Sequence, residues 1–365
     1  MEGKSKTPEK RSAESVEGPL AAHKDVLNPY QYMKDFEREA HVATSSITAK
    51  VMVLEPGEVA DFAWRIMKCT DERVQKTLYL DHYTLMMLRG RVVALLKLIP
   101  SQRSSLSELT REKKELLESF ANLGVKIHFT NPPKSMIGKF IPQIDRDHIK
   151  GTDIDNGKVF YIGGFNWTYF EPLDFMVKFT GEVATALSSV FKMLHDNEIA
   201  RDTKIQINNH VAVSIDAGLP GESIILDEAL QLIDGARDFI STTSMLYPDS
   251  RIAMALQRAI KRGVRVDIVS SGGQKSQGSV MRVVHRMTRM RSALHLSPSQ
   301  VTQYPGDVHA KLLIIDGTQA YFGSNNLSAL GVRAGTREWG IFTSDPELVK
   351  NLSEWFNAYA IPPKE

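Results

Sequence analysis

The chain has 365 residues, of which 42% are hydrophobic and 24% charged, and its formal net charge is +2. This length is sufficient for two lobes of ordinary domain size, and the composition is that of a soluble globular protein. The near balance of charge gives no argument for nucleic-acid binding, the single cysteine excludes an intrachain disulfide framework, and no stretch approaches the roughly 18 apolar residues of a membrane span.

The first half of the chain predicts helices and strands in alternation after a polar start. Residues 1–28 are charged and lack a hydrophobic signal core, so they are predicted to form a disordered tail rather than an export signal. The patterns that follow predict a short helix within 28–49, a helix over 59–69, strands over 76–83 and 91–98, an amphipathic helix over 104–123 and a strand over 125–129.

The second half repeats this order. It predicts helices over 225–236 and 251–262 and strands over 239–245 and 264–270. Such alternation favours an α/β fold in which mixed sheets carry flanking helices. A Gly-Leu-Pro-Gly sequence lies between the halves. We therefore predict an N-terminal lobe over 29–205 and a C-terminal lobe over 206–365.

One stretch late in the chain carries more chemistry than its surroundings. Residues 308–326 read VHAKLLIIDGTQAYFGSNN, in which a buried strand would place His309 and Lys311 on one face. The Asp-Gly pair that follows predicts a hairpin turn, whose returning strand would bring Ser324 and Asn326 beside the two basic side chains.

A second copy of this motif lies upstream in the sequence HIKGTDIDNGKVFYIGGFNW. Asn166 matches Asn326, whereas Gly164 stands where the later copy has Ser324. For ten histidines, background frequencies predict on the order of 0.04 chance matches to the His-Lys-Asp pattern. Two copies therefore indicate a functional site rather than two solvated strand edges. The matching residues are His148, Lys150 and Asp155 in the first copy and His309, Lys311 and Asp316 in the second.

With these two HxKxxxxD motifs, the chain resembles the phospholipase D superfamily, and within it the bacterial cardiolipin synthases and similar phosphatidyltransferases. The GG-x-N sequence after the first motif, GSNNL after the second and TSDPELVKNLSEWF near the C-terminus extend this similarity. The resemblance implies two pseudo-symmetric lobes, each a mixed β-sheet flanked by helices, packed face to face. Because each half carries one His-Lys pair, a complete site requires both lobes.

These residue types suit attack on a phosphodiester, whose charge repels nucleophiles and whose alkoxide leaves poorly. One neutral imidazole can attack phosphorus while the opposite imidazolium protonates the leaving oxygen. Lys150 and Lys311 would hold the phosphoryl oxygens, joined by the neutral donors Asn166, Asn326 and Ser324. With this much fixed positive charge, we predict neither a metal nor another cofactor.

The resemblance implies a two-step route through a phosphohistidine, in which the N-terminal motif supplies the nucleophile. His148 is then the nucleophile and His309 the acid and base, although the symmetry of the sequence leaves the choice open. Asp155 and Asp316 are predicted to support loops rather than to touch phosphate.

Two carboxylates outside the motifs are further candidates. Glu338 and Asp174 stand where the enzymes that the chain resembles carry an acidic residue hydrogen-bonded to a catalytic imidazole. Such a partner fixes the tautomer and supports the imidazolium. A surface carboxylate at a strand end is the alternative interpretation of each.

The resemblance implies transfer of a phosphatidyl group between alcohols, and hence a phospholipid substrate. A nuclease of the same superfamily is the second hypothesis, and a catalytically silent lipid-binding or scaffold protein is the third. The modest overall charge and the lack of an aromatic stacking series disfavour nucleic acid as the partner. No obligate protein partner is predicted.

The synthases that the chain resembles usually begin with membrane-spanning helices, for which this sequence shows no candidate. We therefore expect a cytoplasmic protein with peripheral contact at the inner face of the membrane. Two segments could provide that contact, PPKSMIGKFIPQ at 132–143 and RVVHRMTRMR at 282–291. A buried connection is the alternative for the first, and a solvated helix face is the preferred interpretation of the second.

Overall fold

The computed structural model describes residues 26–88, 91–92, 103–131, 146–171, 173–195, 198–248, 250–271, 279–328 and 335–361. Residues 1–25 of the predicted tail, most of the strand predicted over 91–98 and the segment 132–143 lie outside the described residues. Among the described residues, none of the helices combines the length and the apolar character needed to cross a bilayer.

Side-chain caps begin several of the helices. Asn28 and Gln31 bond each other's backbone N–H groups at the start of the first helix, and Ser223 and Asp345 accept backbone N–H groups at the start of two later ones. The described α-helices are α1 (Pro29–His41), α2 (Glu58–Cys69), α3 (Arg103–Ala121), α4 (Gly181–His195), α5 (Ile224–Gly235), α6 (Ser250–Lys261), α7 (Ser279–Ser292) and α8 (Pro346–Trp355). Short 3₁₀ turns span His82–Leu85 and Pro298–Gln300, and a π-helical turn spans Phe356–Ala360.

The described strands are β1 (Val26–Leu27), β2 (Ser46–Val51), β3 (Gln75–Asp81), β4 (Met87–Leu88), β5 (Arg91–Val92), β6 (Lys126–Thr130), β7 (Gly151–Ile154), β8 (Val159–Gly163), β9 (Met176–Thr180), β10 (Thr203–Gln206), β11 (Val211–Ala217), β12 (Phe239–Ser244), β13 (Arg265–Ser271), β14 (Val301–Tyr304), β15 (Leu312–Ile315), β16 (Gln319–Gly323) and β17 (Arg337–Thr343).

Most of these strands form two large mixed sheets of related topology. The first has the order β1-β9-β8-β7-β2-β3-β6 and the second β10-β11-β17-β16-β15-β12-β13-β14. In each sheet an antiparallel hairpin, β7-β8 or β15-β16, adjoins a run of parallel pairs, β2-β3-β6 or β12-β13-β14. The predicted α/β class with two pseudo-symmetric mixed sheets is thereby confirmed.

The two sheets pack face to face over a shared apolar core. Phe160 and Ile162 from the first sheet and Ile314 and Trp339 from the second belong to this core, together with residues of α4 and α8. Separate clusters pack α1 and α2 on the outer face of the first sheet and α5 and α6 on that of the second. Because both inner faces are apolar, the hairpins that carry the two motifs are held against each other.

The predicted elements are largely found, with shifted ends. The helix predicted over 104–123 is α3, and the helices predicted over 225–236 and 251–262 are α5 and α6. The segment 28–49 holds more than the predicted helix, since α1 ends at His41 and β2 follows. β10 pairs with β11, so the second sheet begins shortly before the predicted boundary at residue 206. Each lobe is taken as one large sheet with the helices packed on it, and the boundary between the lobes stays a prediction.

Candidate active site

Each motif histidine is fixed by a backbone contact with the opposite lobe. The N–H of His148 donates to the carbonyl of Arg337 at 2.8 Å, and the N–H of His309 donates to the carbonyl of Leu173 at 2.9 Å. Isolated parallel bridges join the same segments, Asp147 to Arg337 and Leu173 to Val308. The two histidines are therefore placed by one pair of related cross-lobe contacts.

The side chain of His148 lies against a carboxylate of the C-terminal lobe. Its Nδ1 is 3.0 Å from Oε2 of Glu338 and 3.0 Å from the carbonyl oxygen of Ser324. Both neighbours are acceptors, so Nδ1 carries the proton and donates. The Nε2 atom of the neutral ring then keeps its lone pair for chemistry.

His309 makes the reciprocal contact with the N-terminal lobe. Its Nδ1 is 2.8 Å from Oδ2 of Asp174 and 3.5 Å from Oε2 of Glu171. The two predicted carboxylates thus reach the two predicted histidines, but each crosses to the motif of the other lobe. Glu171 is a buried carboxyl group that was not predicted from the sequence, although it comes shortly before Asp174 in the chain.

The motif lysines are buried, and each lies beside the histidine of its own motif. Each ammonium donates to the carbonyl of its own histidine, Lys150 to His148 at 2.7 Å and Lys311 to His309. The charge of Lys311 acts on His148, and that of Lys150 acts on His309. The structure therefore brings both His-Lys pairs into one electrostatic environment.

Burial and the neighbouring ammonium groups favour neutral bases at this site. Burial, reinforced by Lys311, lowers the pKa of His309 to about 3, and burial also lowers the pKa of His148. Burial together with the charge of Lys311 lowers the pKa of Lys150 to about 7, and burial lowers that of Lys311. In the free site both imidazoles are thus neutral at neutral pH, and Lys150 titrates near neutrality.

The carboxyl groups divide into ionised and protonated members. Burial alone would raise the pKa of Asp174 and of Glu338, but the histidine beside each holds its pKa below the ordinary value. Burial and repulsion by Asp174 raise the pKa of Glu171 well above its ordinary value. Burial and Asp174 thus favour the protonated form of Glu171 next to the Asp174 carboxylate.

By spacing alone, a cation could bind beside His309. The ligand atoms of Glu171, Asp174 and His309 all lie within 4.8 Å of one another. The ammonium groups of Lys150 and Lys311 already act on these carboxyl groups, and an added cation would be repelled by both. The electrostatics therefore favour a shared proton at this cluster over a metal ion.

The predicted phosphate donors Asn166, Asn326 and Ser324 differ in how deeply they are buried. Oδ1 of Asn166 accepts the N–H of Val53 at 3.3 Å, which leaves its amide N–H groups as donors. Asn326 is half-buried, and its backbone carbonyl accepts the hydroxyl of Ser244. Ser324 is fully buried, and its hydroxyl donates to Glu338. In this arrangement Ser324 holds the carboxylate that faces His148.

The difference between Gly164 and Ser324 follows from the length of the carboxylate beside each. A Cβ atom at Gly164 would lie 2.7 Å from Oδ1 of Asp174 and 3.2 Å from the carbonyl oxygen of His309. The short Asp174 side chain reaches His309 only because residue 164 has no side chain. The longer Glu338 leaves room for a serine hydroxyl.

We expect Gly164→Ser, which copies the second motif into the first, to displace Asp174 from His309. Loss of a carboxylate that orients a reacting imidazole typically lowers activity about 10- to 100-fold. Turnover at saturating substrate is the measurement, and Ser324→Gly, which creates space instead of a clash, is the matched variant and should lose less. Equal activity of Gly164→Ser and the wild type would contradict this role of Gly164.

Asp155 and Asp316 support strands rather than the site. The carboxylate of Asp155 accepts the backbone N–H groups of residues 44–46 at the start of β2. The carboxylate of Asp316 accepts those of residues 237–239 at the start of β12. Both aspartates have a positive φ of 53° at the hairpin turns that join the strands of their motifs.

We expect Asp316→Ala to lower the free energy of unfolding by about 2 kcal/mol, because three N–H groups lose a charged acceptor. These N–H groups hold the pKa of Asp316 below 3.8 in the folded state. Its contribution is therefore complete at neutral pH and disappears as the pH falls through the folded pKa. Denaturant unfolding of both proteins should show a difference that is larger at neutral pH than in strong acid, where only the strain of alanine at the positive φ of residue 316 remains. An equal difference at both pH values would contradict the charged capping role.

A buried ion group lies behind His148. Lys50 of β2 contacts Asp147 at 2.7 Å, and Arg337 from the other lobe approaches Asp147 at 3.9 Å. Burial would raise the pKa of Asp147, but the two cations hold it below the ordinary value. Because the pair is desolvated, removing one partner would leave an unpaired buried charge. This group ties the backbone beside His148 to both sheets.

Comparison with known families supports the resemblance carried by the two HxKxxxxD motifs. Residues 229–360 match the family model described as "Cardiolipin synthase, PLD-like domain". The chain is 29% identical over 228 residues to the minor cardiolipin synthase ClsB of Bacillus subtilis, across 59% of this chain and 56% of that protein. It is 27% identical over 243 residues to an uncharacterized protein of Streptococcus mutans, across 60% of this chain and 51% of that protein. The chain thus aligns with about half the length of the curated relatives it matches.

Among solved structures, the phosphatidylserine synthase of Haemophilus influenzae superposes with a TM-score of 0.63. The match covers 93% of this chain and 87% of that one, at 11% sequence identity. At this identity the comparison shows a common fold, which extends over both sheets.

Proposed function

This chain is a member of the phospholipase D superfamily, and from that premise we propose that it is a phosphodiesterase or phosphatidyltransferase that acts on phospholipids. One observation carries the proposal. Two imidazoles from different lobes, each held at Nδ1 by a carboxylate of the opposite lobe, share their surroundings with two buried ammonium groups. Such a set is suited to an anionic phosphorus centre with a poor leaving group.

The proposed first step uses both histidines. Nε2 of His148 attacks phosphorus, so that an N–P bond forms and the bond to the leaving oxygen breaks. The leaving oxygen takes a proton from Nε2 of His309. A bound phosphodiester anion offsets the charge of Lys150 and Lys311 and so raises the pKa of His309 from its low value in the free site.

In the second step, water or an alcohol attacks the phosphohistidine. His309 removes the proton of the incoming hydroxyl, the N–P bond breaks, and His148 is restored as a neutral base. The assignment of His309 as acid and base is supported by its second carboxyl neighbour, because Glu171 and Asp174 together hold a proton beside it. His148 has one carboxylate and one carbonyl at the corresponding place.

The two lysines would bind the phosphoryl oxygens that do not react. Burial lowers the pKa of both ammonium groups, and a bound phosphate anion would favour their charged forms. Hydrogen-bond donors that are shielded from water stabilise a charged transition state more strongly than donors in water do. Asn166 would add a neutral donor from the N-terminal lobe.

The test is to incubate the purified chain with phosphatidylglycerol vesicles, and separately with single-stranded DNA, with EDTA present in both. Conversion of the lipid, read as released glycerol together with cardiolipin or phosphatidic acid, supports the proposal. Cleavage of the DNA without lipid turnover would support the nuclease hypothesis instead. Binding of lipid without turnover of either substrate would support the scaffold hypothesis.

A further inference from the structure

Helix α7 and the turn after it present an apolar stripe to solvent. Val283, Met287, Met290 and Leu294 recur at helical spacing on one face. They are between 49% and 76% exposed, which is unusual for large apolar side chains that fall on one line. Thr288 and Ser292 are buried, so the opposite face of the helix is the one packed on the protein.

The same helix carries only positive formal charge. The sequence from Ser279 to Ser292 contains arginines at 282, 286, 289 and 291 and neither aspartate nor glutamate. Arg282, Arg286 and Arg289 are exposed beside the apolar stripe. By contrast, two exposed arginines of α6 pair with acidic residues, Arg251 with Asp227 and Arg258 with Asp234.

Helix α7 lies beside the second motif. The charge of Asp307, which comes shortly before His309, acts on the half-buried His285 of α7. The hydroxyl of Ser271, the last residue of β13, accepts the N–H of Val308 at 2.9 Å. The inner face of α7, opposite the stripe, is therefore adjacent to the segment that positions His309.

We propose that α7 docks this protein on the surface of an anionic phospholipid bilayer. Apolar side chains on such a helix enter the boundary between head groups and acyl chains, while flanking arginines bind the anionic head groups. A nucleic-acid backbone would match the arginines but would leave the four apolar side chains in water. The proposal deepens the proposed function, since the docked helix would bring the second motif close to lipid head groups.

The test is flotation of the whole 365-residue chain with vesicles. Vesicles of phosphatidylcholine containing phosphatidylglycerol should carry the protein, and vesicles of phosphatidylcholine alone should carry much less. Met287→Asp combined with Met290→Asp should abolish flotation. Arg286→Gln combined with Arg289→Gln should weaken binding to the anionic vesicles by roughly fivefold per arginine and flatten its salt dependence.

Two exposed residues outside α7 provide matched controls. Val42→Asp places an acidic group on the end of α1 at an equally exposed apolar site, and Arg201→Gln removes an exposed arginine. Both should float like the wild type. Vesicle binding that persists in the α7 variants, or that falls equally in the controls, would overturn the proposal. If the α7 variants lost binding to single-stranded DNA but still bound vesicles, the proposal would also be overturned, in favour of a nucleic-acid surface.

A second substrate separates this proposal from the proposed function. A water-soluble short-chain phosphodiester needs no membrane, so the α7 variants should hydrolyse it at the wild-type rate while losing activity on vesicles. If the wild type floats but turns over neither substrate, the docking surface stands and the proposed function fails. If the α7 variants lose activity on the soluble substrate equally, the helix acts on the site rather than on the membrane.

Discussion

Alanine in place of His148 is expected to reduce turnover of phospholipid by roughly 10⁴-fold, and alanine in place of His309 by roughly 10²- to 10⁴-fold. The first change removes the proposed nucleophile, and the second removes the proton donor to an alkoxide that leaves poorly. Each imidazole keeps a small solvent-exposed fraction, 13% for His148 and 9% for His309, so we expect alanine at either position to leave the fold intact. Initial rates with phosphatidylglycerol, together with circular dichroism of each variant, provide the measurement.

The identity of the nucleophile can be decided with a better leaving group. Nitrophenolate leaves a p-nitrophenyl phosphodiester without needing a proton. On this substrate, His309→Ala should therefore regain a large part of the wild-type rate of the first step. His148→Ala should remain inactive on both substrates. In a rapid-quench experiment, His309→Ala should accumulate a covalent phospho-adduct, which peptide mass spectrometry should locate on His148.

The converse pattern would exchange the roles of the two histidines. If His148→Ala recovered activity on the nitrophenyl substrate and the adduct formed on His309, the assignment by position in the sequence would be wrong. His41→Ala, at the exposed C-terminal end of α1, is the control for a histidine outside the site. Near wild-type turnover by both motif variants would reject the two-histidine mechanism altogether.

The sequence was informative about the site because the motif residues recur at a fixed spacing on related hairpins. The pairing of His148 with Glu338 and of His309 with Asp174 could not be read from it, since either carboxylate could serve either imidazole. That choice depends on the packing of the two sheets, which places the segment after each β-hairpin against the motif of the other lobe. The role of Gly164 depends in the same way on packing, because a Cβ atom at this position would lie only 2.7 Å from Oδ1 of Asp174.

Glu171 shows a second limit of sequence reasoning. A glutamate in a loop is ordinarily solvated, and nothing in the letters around it indicates burial beside two lysines. The rise in its pKa follows from its low-dielectric surroundings and from Asp174, both of which exist only in the folded chain. The helices and strands were easier to predict, because α3, α5 and α6 carry regular apolar patterns and glycine at or near their ends.

The second large effect is expected at the lysines. Lys150→Met and Lys311→Met should each lower kcat/KM by roughly 10²- to 10³-fold, as for loss of one charged donor to a developing anion. Methionine fills a similar volume and is readily buried, so these variants should fold. The double variant should have a lower kcat/KM than either single variant. Equal activity of the double variant and the wild type would contradict the proposed clamp.

The pH dependence tests the same clamp without removing it. Lys150 binds phosphate only when protonated, and its pKa of about 7 in the free site predicts that kcat/KM falls as the pH rises through 7. Because a bound phosphate raises this pKa, kcat should fall only at higher pH. On the acid side, activity should persist below pH 6.5, since the pKa of His148 is lowered and the ring stays neutral.

Lys150→Arg separates Lys150 from other groups that titrate in this range. A guanidinium stays charged throughout, so the alkaline fall in kcat/KM should disappear, even if the fork-shaped group binds phosphate less well and lowers the plateau. In Lys311→Arg the alkaline fall in kcat/KM should remain. An unchanged alkaline limb in Lys150→Arg would assign the titration to another group and would remove Lys150 from the proposed phosphate site.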